Sequence, residues 1–516
     1  MAEVLFNFNK MDQNTAIIWF SVGGVFVVCS LLSNFGLLVS NKWTMPMLLL
    51  GGFFIGLGSI HLDDFLHGWD ERYHALVARN MLINPLKPTL FPEAPLSSSY
   101  HGPWWASYIW MHKGPLFSWQ MGLCMLIFGN GIVAMRLASV LMFMLLVYSA
   151  YRCARLFFPK AAYVITLLII MQPLLHLLIS GRLGMDHNDI AFIAYIGVSF
   201  WAWCEYKFSQ DKKWIYWVGV AAAAAIWTKW VAGSLIFCIW GLYILLFEIR
   251  QREQWKALAT SILTCAAIVL PWFIYCYLEY REVFVREWKY NSEHLFEPLE
   301  GHVNEWYFHL KTWYDYFLPI VVFSAIGLLL IHKEKNVVAR KIGIVSSLAI
   351  VAVMLVYSFA ATALPAYTII LLLPVAFLAA AGIERFLSVT EKKWLNPVFI
   401  ILITGFATYN LWQGYKTYIP QDWIAEHQLH MKEFYSEVGD KLPENAVIFN
   451  TPEMEFIEAM YYTGRVSYQM VPTEEDIDEM VAKGYEPTLI LDQTFTREEF
   501  NEKDYLRPFQ TFEWPY

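Results

Sequence analysis

Long apolar runs, broken by short clusters of charge, dominate the pattern of this chain. Twelve of them are apolar enough to form helices across a bilayer: 16–39, 44–60, 132–151, 161–180, 189–205, 214–228, 231–247, 257–277, 314–331, 342–360, 365–384 and 396–413. Between residues 61 and 131 the pattern changes. After Asp70, the residues Tyr73, Leu76, Val77 and Met81 recur at helical spacing, which predicts a helix lying at the membrane surface. Residues 115–129 read as a second surface helix, because a span there would reverse the charge pattern that follows. Past residue 421 the long runs stop. A helix at 422–439, a strand at 446–450, a helix at 452–463, a strand at 465–471, a helix N-capped by Thr473 and a strand at 488–492 predict a small α/β domain.

Composition agrees with this division. With 57% hydrophobic and 16% charged residues, the chain is not an ordinary soluble protein. Its net charge of −8 hides two opposite parts: residues 421–516 carry 21 Asp and Glu against 7 Lys and Arg, while the rest is basic. Basic residues fall at alternate connections (Lys42; Arg152, Arg155, Lys160; Lys207, Lys212, Lys213; Arg250, Arg252, Lys256; Lys333, Lys335, Arg340, Lys341; Arg385, Lys392, Lys393). The positive-inside rule assigns these connections to the cytoplasm. Loops 61–131 and 278–313, the turn 181–188, the turn at Lys229 and the acidic domain then face outward. The run 16–39 is too long for a signal h-region and reads as an extra N-terminal span within residues 1–43. Residues 44–420 form the main membrane domain and 421–516 the soluble one. The seven cysteines sit in apolar surroundings with no C-x-x-C pair, and the chain lacks G-x-G-x-x-G and Walker motifs. Nothing points to a nucleotide or a nucleic-acid partner.

Charge and histidine interrupt the apolar pattern on the outer face. Asp70 and Glu71 could supply a general base, or could cap a helix N-terminus. Lys113, in His112-Lys113-Gly114-Pro115-Leu116, could hold a lipid phosphate or could snorkel to the interface. Arg182, Asp186, His187 and Asp189 cluster at a span end, where an Arg182–Asp186 pair is the plainer alternative. Lys229 sits in a turn between two apolar helices. The loop 278–313 holds Glu293, His294, Glu297, Glu300, His302, Glu305 and His309, which suit either a divalent metal or a solvated polar loop.

These segments resemble the membrane glycosyltransferases of the GT-C fold, in particular the protein O-mannosyltransferase superfamily and the lipid A aminoarabinose transferases. Asp70-Glu71, Tyr73, Ala75, Ala78, Arg79 and Met81 resemble the family's first signature, and 112–116 resembles its lysine–proline element. Arg182 to Asp186, Thr228-Lys229 and Glu293-His294 with His302 resemble three later elements. The likeness extends over about residues 44–386. Tyr73, Gly114 and Ala363 stand where the family often has arginine, proline and lysine, and the Arg182–Asp186 spacing is one residue short.

The resemblance implies an all-α polytopic membrane enzyme of about twelve transmembrane helices with a small extracytoplasmic α/β domain. It makes 44–420 the catalytic domain, in a bacterial cytoplasmic (inner) membrane with the active site periplasmic. The implied reaction moves a sugar from a polyprenyl (undecaprenyl) phosphate donor to a protein Ser/Thr, lipid or glycan acceptor. Asp70 is then the base, with Glu71 and Asp186 as further catalytic candidates. Lys113 is the main phosphate contact, with Arg72, Arg182, Lys229 and His302 as helpers. In the aminoarabinose branch the positions of His112 and His294 resemble a zinc pair. A divalent cation there (zinc, or magnesium or manganese) stands beside the alternative of no metal, since two histidines do not complete a coordination sphere. The rival reading is a transporter or lipid flippase, which predicts inverted repeats and broken helices with midplane charge; the sequence has no convincing repeat, and its charges lie at span ends.

Overall fold

The computed structural model describes residues 13–38, 40–182, 187–389, 394–417, 419–452 and 454–514. Asp186 lies outside them. Each of the twelve apolar runs is mainly helical, with breaks at 171–172 and 370–371 and non-helical ends at 35–38 and 359–360. Among the described residues, eight helices are long and apolar enough to cross a membrane, or nine when a bent pair is taken as one span. The count of twelve is not reached on length and composition. His187–Ser209 carries Asp189, Glu205 and Lys207, Lys213–Lys229 has 17 residues, and Leu235–Phe247 has 13.

The bent pair, Ala162–Ile170 and Pro173–Ser180, breaks by 44°. Pro173 has no N–H to give the preceding turn, which is enough to end one helix and start another. The same chemistry bends Phe308–Leu330, where Phe317 leaves helical geometry two residues before Pro319. A single apolar cluster fills the bundle, with Trp203 and Trp240 fully buried within it.

Contacts at one end of the bundle link connections that the charge pattern assigns to a common side. Arg152 pairs with Glu205 and Lys207 with Glu248, the Lys160 backbone N–H donates to Glu384, and the Lys341 ammonium sits over Phe247. The opposite end carries the two loop helices, Asp70–Ile83 and Pro115–Phe128. The second has the character expected of a surface helix: Phe117, Met121 and Met125 are buried, while Leu123, Leu126 and Ile127 face outward.

The first does not lie on a surface. Arg72, His74 and Asn80 are buried together with the expected apolar stripe. The cover is the C-terminal domain, which packs over the helix. Its sheet is wholly parallel, in the order β2-β1-β3-β4, with β1 Ala446–Phe449, β2 Val466–Ser467, β3 Glu486–Leu491 and β4 Gln510–Glu513. Helices Asp422–Lys441, Phe456–Thr463, Glu474–Ala482 and Arg497–Glu502 connect and flank it. Thr473 starts its helix in a capping box with Asp476. Arg497–Glu502, capped by Thr496, and β4 are elements that the apolar pattern alone does not reveal.

Candidate active site

Consecutive helical residues point about 100° apart, so three adjacent charges cannot share one direction. Asp70, Glu71 and Arg72 go three separate ways. Asp70, at the first position of its helix, lines a cavity of about 460 Å³.

Glu71 turns into the bundle. It accepts from Arg136 Nε at 2.6 Å and Nη2 at 3.0 Å, from His187 Nε2 at 2.7 Å and from the His67 backbone N–H at 2.6 Å. Burial raises its carboxyl pKa, but Arg136 and His187 more than offset this and hold it well below the usual carboxylate range. Arg136 is fully buried and also donates to the carbonyls of Ile60, Asp63 and Phe65.

Arg72 turns toward the C-terminal domain, where its Nη1 donates to both oxygens of Glu458 at 2.9 and 3.1 Å. Arg182 is also drawn away from the cavity. It forms a two-pronged pair with Asp63 at 2.6 and 2.9 Å. Burial raises the Asp63 carboxyl, and His67 and Arg182 together hold it below the usual range. Glu71, Arg72 and Arg182 therefore do not line the cavity, and each is committed to a buried partner.

Of the other described candidates, several meet there, while Glu293, Glu297, Glu305 and His309 do not line the cavity. Lys113, Lys229, His112, His294 and His302 line the same cavity as Asp70, together with Asp189 and Trp230. Two turns are laced together to bring them in. The Gly114 N–H donates to the Thr228 carbonyl at 3.2 Å, Asn188 Nδ2 donates to that carbonyl at 3.0 Å, and Trp230 Nε1 donates to the His112 carbonyl at 3.0 Å. A Cβ at position 114 would fall 1.9 Å from the Trp227 carbonyl oxygen. Only glycine fits, and a proline there would also lack the N–H that ties the turns. Ala363 has a comparable tying role, its N–H donating to His302 O at 3.0 Å and its carbonyl accepting from Asn304 at 3.0 Å.

Lys229 Nζ donates to Asp189 at 2.5 Å. His112 stacks on Trp104 with centroids 4.2 Å apart, and its Nδ1 lies 3.2 Å from Glu287. Burial pushes the Glu287 carboxyl up to about 7, although Arg286 and Lys113 pull it down. His294 is lowered to about 4, first by burial and then by Lys113, Lys229 and His302. Two lysines, Lys113 and Lys229, thus act on one imidazole, and both line the same cavity.

His112 and His294 reach the same cavity, but His294 Nδ1 is committed to the Tyr367 hydroxyl at 3.1 Å. Among the described residues, no three His, Cys, Asp or Glu side chains come together in a metal-binding group. Two imidazoles do not make the coordination sphere of a divalent cation, so the described residues do not fit one.

Sequence reasoning missed Arg136, Asp63, Glu287 and Glu458. Only Arg136 carried a readable signal, as a lone charge inside a predicted span.

Comparison with known proteins agrees with this architecture. Residues 112–275 match the family model of the dolichyl-phosphate-mannose-protein mannosyltransferases; the Asp70 segment precedes the matched region. Two curated relatives come from Pseudomonas fluorescens (strain Pf0-1), undecaprenyl phosphate-α-4-amino-4-deoxy-L-arabinose arabinosyl transferases 1 and 2. Each is 24% identical, over 71% and 72% of this chain. The chain spans 63% and 65% of their respective lengths. Among solved structures, ArnT from Cupriavidus metallidurans bound to undecaprenyl phosphate superposes with a TM-score of 0.62 at 14% identity, covering 86% of this chain and 88% of that one. The apo state of the same protein gives 0.62 at 15% identity with the same coverage. The chain shares the fold of these ArnT structures and is similar in sequence, over part of its length, to the mannosyltransferase family model and to the two arabinosyl transferases.

Proposed function

We propose that this protein is a membrane glycosyltransferase that takes a sugar from a polyprenyl-phosphate carrier and passes it to a hydroxyl of a protein, lipid or glycan acceptor. The observation that carries this reading is the single cavity lined by one carboxylate of the first signature, Asp70, and by Lys113, Lys229 and three histidines. A polyprenyl phosphate is a poor leaving group unless cations stabilise its developing charge, and a hydroxyl is a weak nucleophile unless a base takes its proton.

In this reading Lys113 and Lys229 face the donor phosphate, with His302 beside them. Asp70 accepts the acceptor proton as the acceptor oxygen bonds to the anomeric carbon. The carbon–oxygen bond to phosphate breaks, and polyprenyl phosphate leaves with the electron pair. Asp189 orients Lys229. Glu71, Arg72 and Arg182 hold the scaffold instead of touching substrate. The names of the relatives favour undecaprenyl phosphate as the carrier. We further infer twelve spans in a bacterial inner membrane, with the three short or charge-bearing helices crossing inside the bundle. The basic connections are then cytoplasmic, and the cavity and α/β domain periplasmic.

The test is release of polyprenyl phosphate from a labelled lipid-linked sugar by purified protein in liposomes. Wild type should release it in the presence of acceptor. Asp70→Asn should retain donor binding and lose about 10²–10⁴ in rate, the worth of one positioned base. Near-normal turnover in Asp70→Asn would remove Asp70 from this role. No release by wild type would remove the transferase reading.

A further inference from the structure

In an open parallel sheet, ligands bind beyond the carboxyl ends of the strands, where neighbouring strands send their connections to opposite sides. In the sheet order β2-β1-β3-β4 that place lies between β1 and β3. Beyond the end of β1, the chain presents the Met454 carbonyl and then the helix Phe456–Thr463, with Glu458 fully buried. The group received there is the protein's own. Arg72 donates to both Glu458 oxygens and, at 3.0 Å, to the Met454 carbonyl.

About two helical turns beyond Arg72 on the Asp70 helix, Arg79 donates to the carbonyls of Met460 and Tyr461 at 2.8 and 2.5 Å. Its guanidinium also lies over the Tyr461 ring, 4.9 Å from the centroid. These carbonyls end the short helix, where a cation is favoured by the helix dipole and by unpaired backbone oxygens. Two arginines of one helix thus grip two ends of another. Arg72 is two residues from Asp70, and Glu71 between them is fixed from the other side by Arg136. The helix that presents Asp70 is held in rotation and in height by pairs on both flanks, and one flank belongs to the C-terminal domain.

We propose that the C-terminal domain sets the position of Asp70 in the cavity, with Glu458 as a positioning residue that acts through Arg72. This rests on Asp70 being the base proposed above. Glu458 touches no substrate. Its removal frees the helix to rotate, so the carboxylate of Asp70 no longer meets the acceptor proton at hydrogen-bond distance. Small misplacements of that kind are costly in rate while leaving donor binding largely intact.

The experiment uses the full chain in liposomes and the variants Glu458→Gln, Arg72→Gln/Glu458→Gln and Glu479→Gln. Glu479 also joins the two domains, through Ser97, but at an exposed point away from the Asp70 helix. Glu458→Gln should lower kcat more than tenfold with the KM for donor within twofold. The double variant should be no worse than Glu458→Gln, and Glu479→Gln should keep kcat within twofold. If Glu458→Gln does not purify, Glu458→Asp gives the same reading, since it keeps the charge and withdraws it by one methylene.

A second readout does not need activity. In an Asp70→Cys background, adding Glu458→Gln should change the labelling rate by a water-soluble maleimide more than threefold. Unchanged kcat and unchanged labelling in folded Glu458→Gln overturn the proposal, as does an equal loss in Glu479→Gln or a loss confined to donor KM. An inactive wild type whose labelling still shifts would sink the transferase reading and leave the clamp standing.

Discussion

Removing one partner of the Glu71–Arg136 pair is the most severe single perturbation expected from the described charges. The pair is dry: Arg136 is 0% exposed and Glu71 2%. Arg136→Met removes two hydrogen bonds to Glu71 and three to the carbonyls that shape the turn after helix Thr44–Ile60. Glu71 would keep only His187 and the His67 N–H. Leaving a buried charge without its partner costs about 3–5 kcal/mol, whereas replacing both partners with apolar groups of similar volume is often near neutral. Glu71→Leu/Arg136→Met should therefore be markedly more stable than Arg136→Met. The assay is unfolding in mixed micelles by SDS titration, with the two single variants and the double forming one cycle. A coupling energy under about 1 kcal/mol, the scale of an exposed pair, would refute the reasoning. The cycle also reports on function: a double variant that folds and still transfers sugar would show that Glu71 has no part in the chemistry.

Three further outcomes follow from the geometry. Lys113→Ala should weaken donor binding by on the order of tenfold to a hundredfold, the worth of a hydrogen bond to a charged group, while Lys113→Arg retains most of the affinity; equal binding in both, measured by titration with polyprenyl phosphate, would return Lys113 to a snorkelling role. Gly114→Ala should lower the melting temperature and donor affinity together, because its Cβ meets the Trp227 carbonyl, whereas Gly68→Ala, with nothing within 4 Å, should change neither. In the C-terminal domain, burial and Glu458 raise Glu455 to about 7 against 4.5 unfolded, so its contribution to stability is fully present below about pH 4.5 and is lost as pH rises through 7. Glu455→Gln should accordingly flatten the fall in melting temperature between pH 5 and 8, relieving on the order of 3 kcal/mol at the alkaline end.

The parts legible from the sequence are those where one residue's environment is set by near neighbours. Span positions follow from apolar runs, and the Asp70 helix from its spacing. The capping box of Thr473 needs only residues three apart. Thr496 and Glu499 form another such box, so that short helix could have been found by the same rule. What failed was partner choice. Arg72 and Arg182 have the right charge for a phosphate, but residue type cannot say that Glu458 and Asp63 stand opposite them. The surface placement of the Asp70 helix failed for the same reason: its apolar stripe predicts one buried face, whereas the docked domain covers Arg72 and the loop carbonyls of Thr89 and Leu90 take up Asn80. Arg136 is different. A single arginine inside an apolar run is expensive without a partner, and Glu71, in the first signature, is the acid that answers it.

The backbone around the cavity carries its own mark of use. Six non-glycine residues among those described have φ in the left-handed region, and three of them, Trp69, Trp230 and Glu300, line the cavity. Trp69 immediately precedes Asp70, Trp230 immediately follows Lys229, and Glu300 lies two residues before His302. A bulky residue held there costs of order 1–3 kcal/mol and persists only where its surroundings over-determine it. Those surroundings are visible. Trp230 is tied through its indole to the His112 carbonyl, Glu300 accepts from the Tyr290 hydroxyl, and the helix after Trp69 is fixed by the Glu71 and Arg72 pairs. The strained turns let a helix begin at Asp70 and another end at Lys229, so each puts its charged side chain into the cavity at a helix terminus. A relaxed cap at either place would leave the helix intact and aim the charge elsewhere. Half of the strained positions thus lie beside one space shared by a carboxylate and a cation, held by buried ion pairs behind Trp69 and by hydrogen bonds at Trp230 and Glu300.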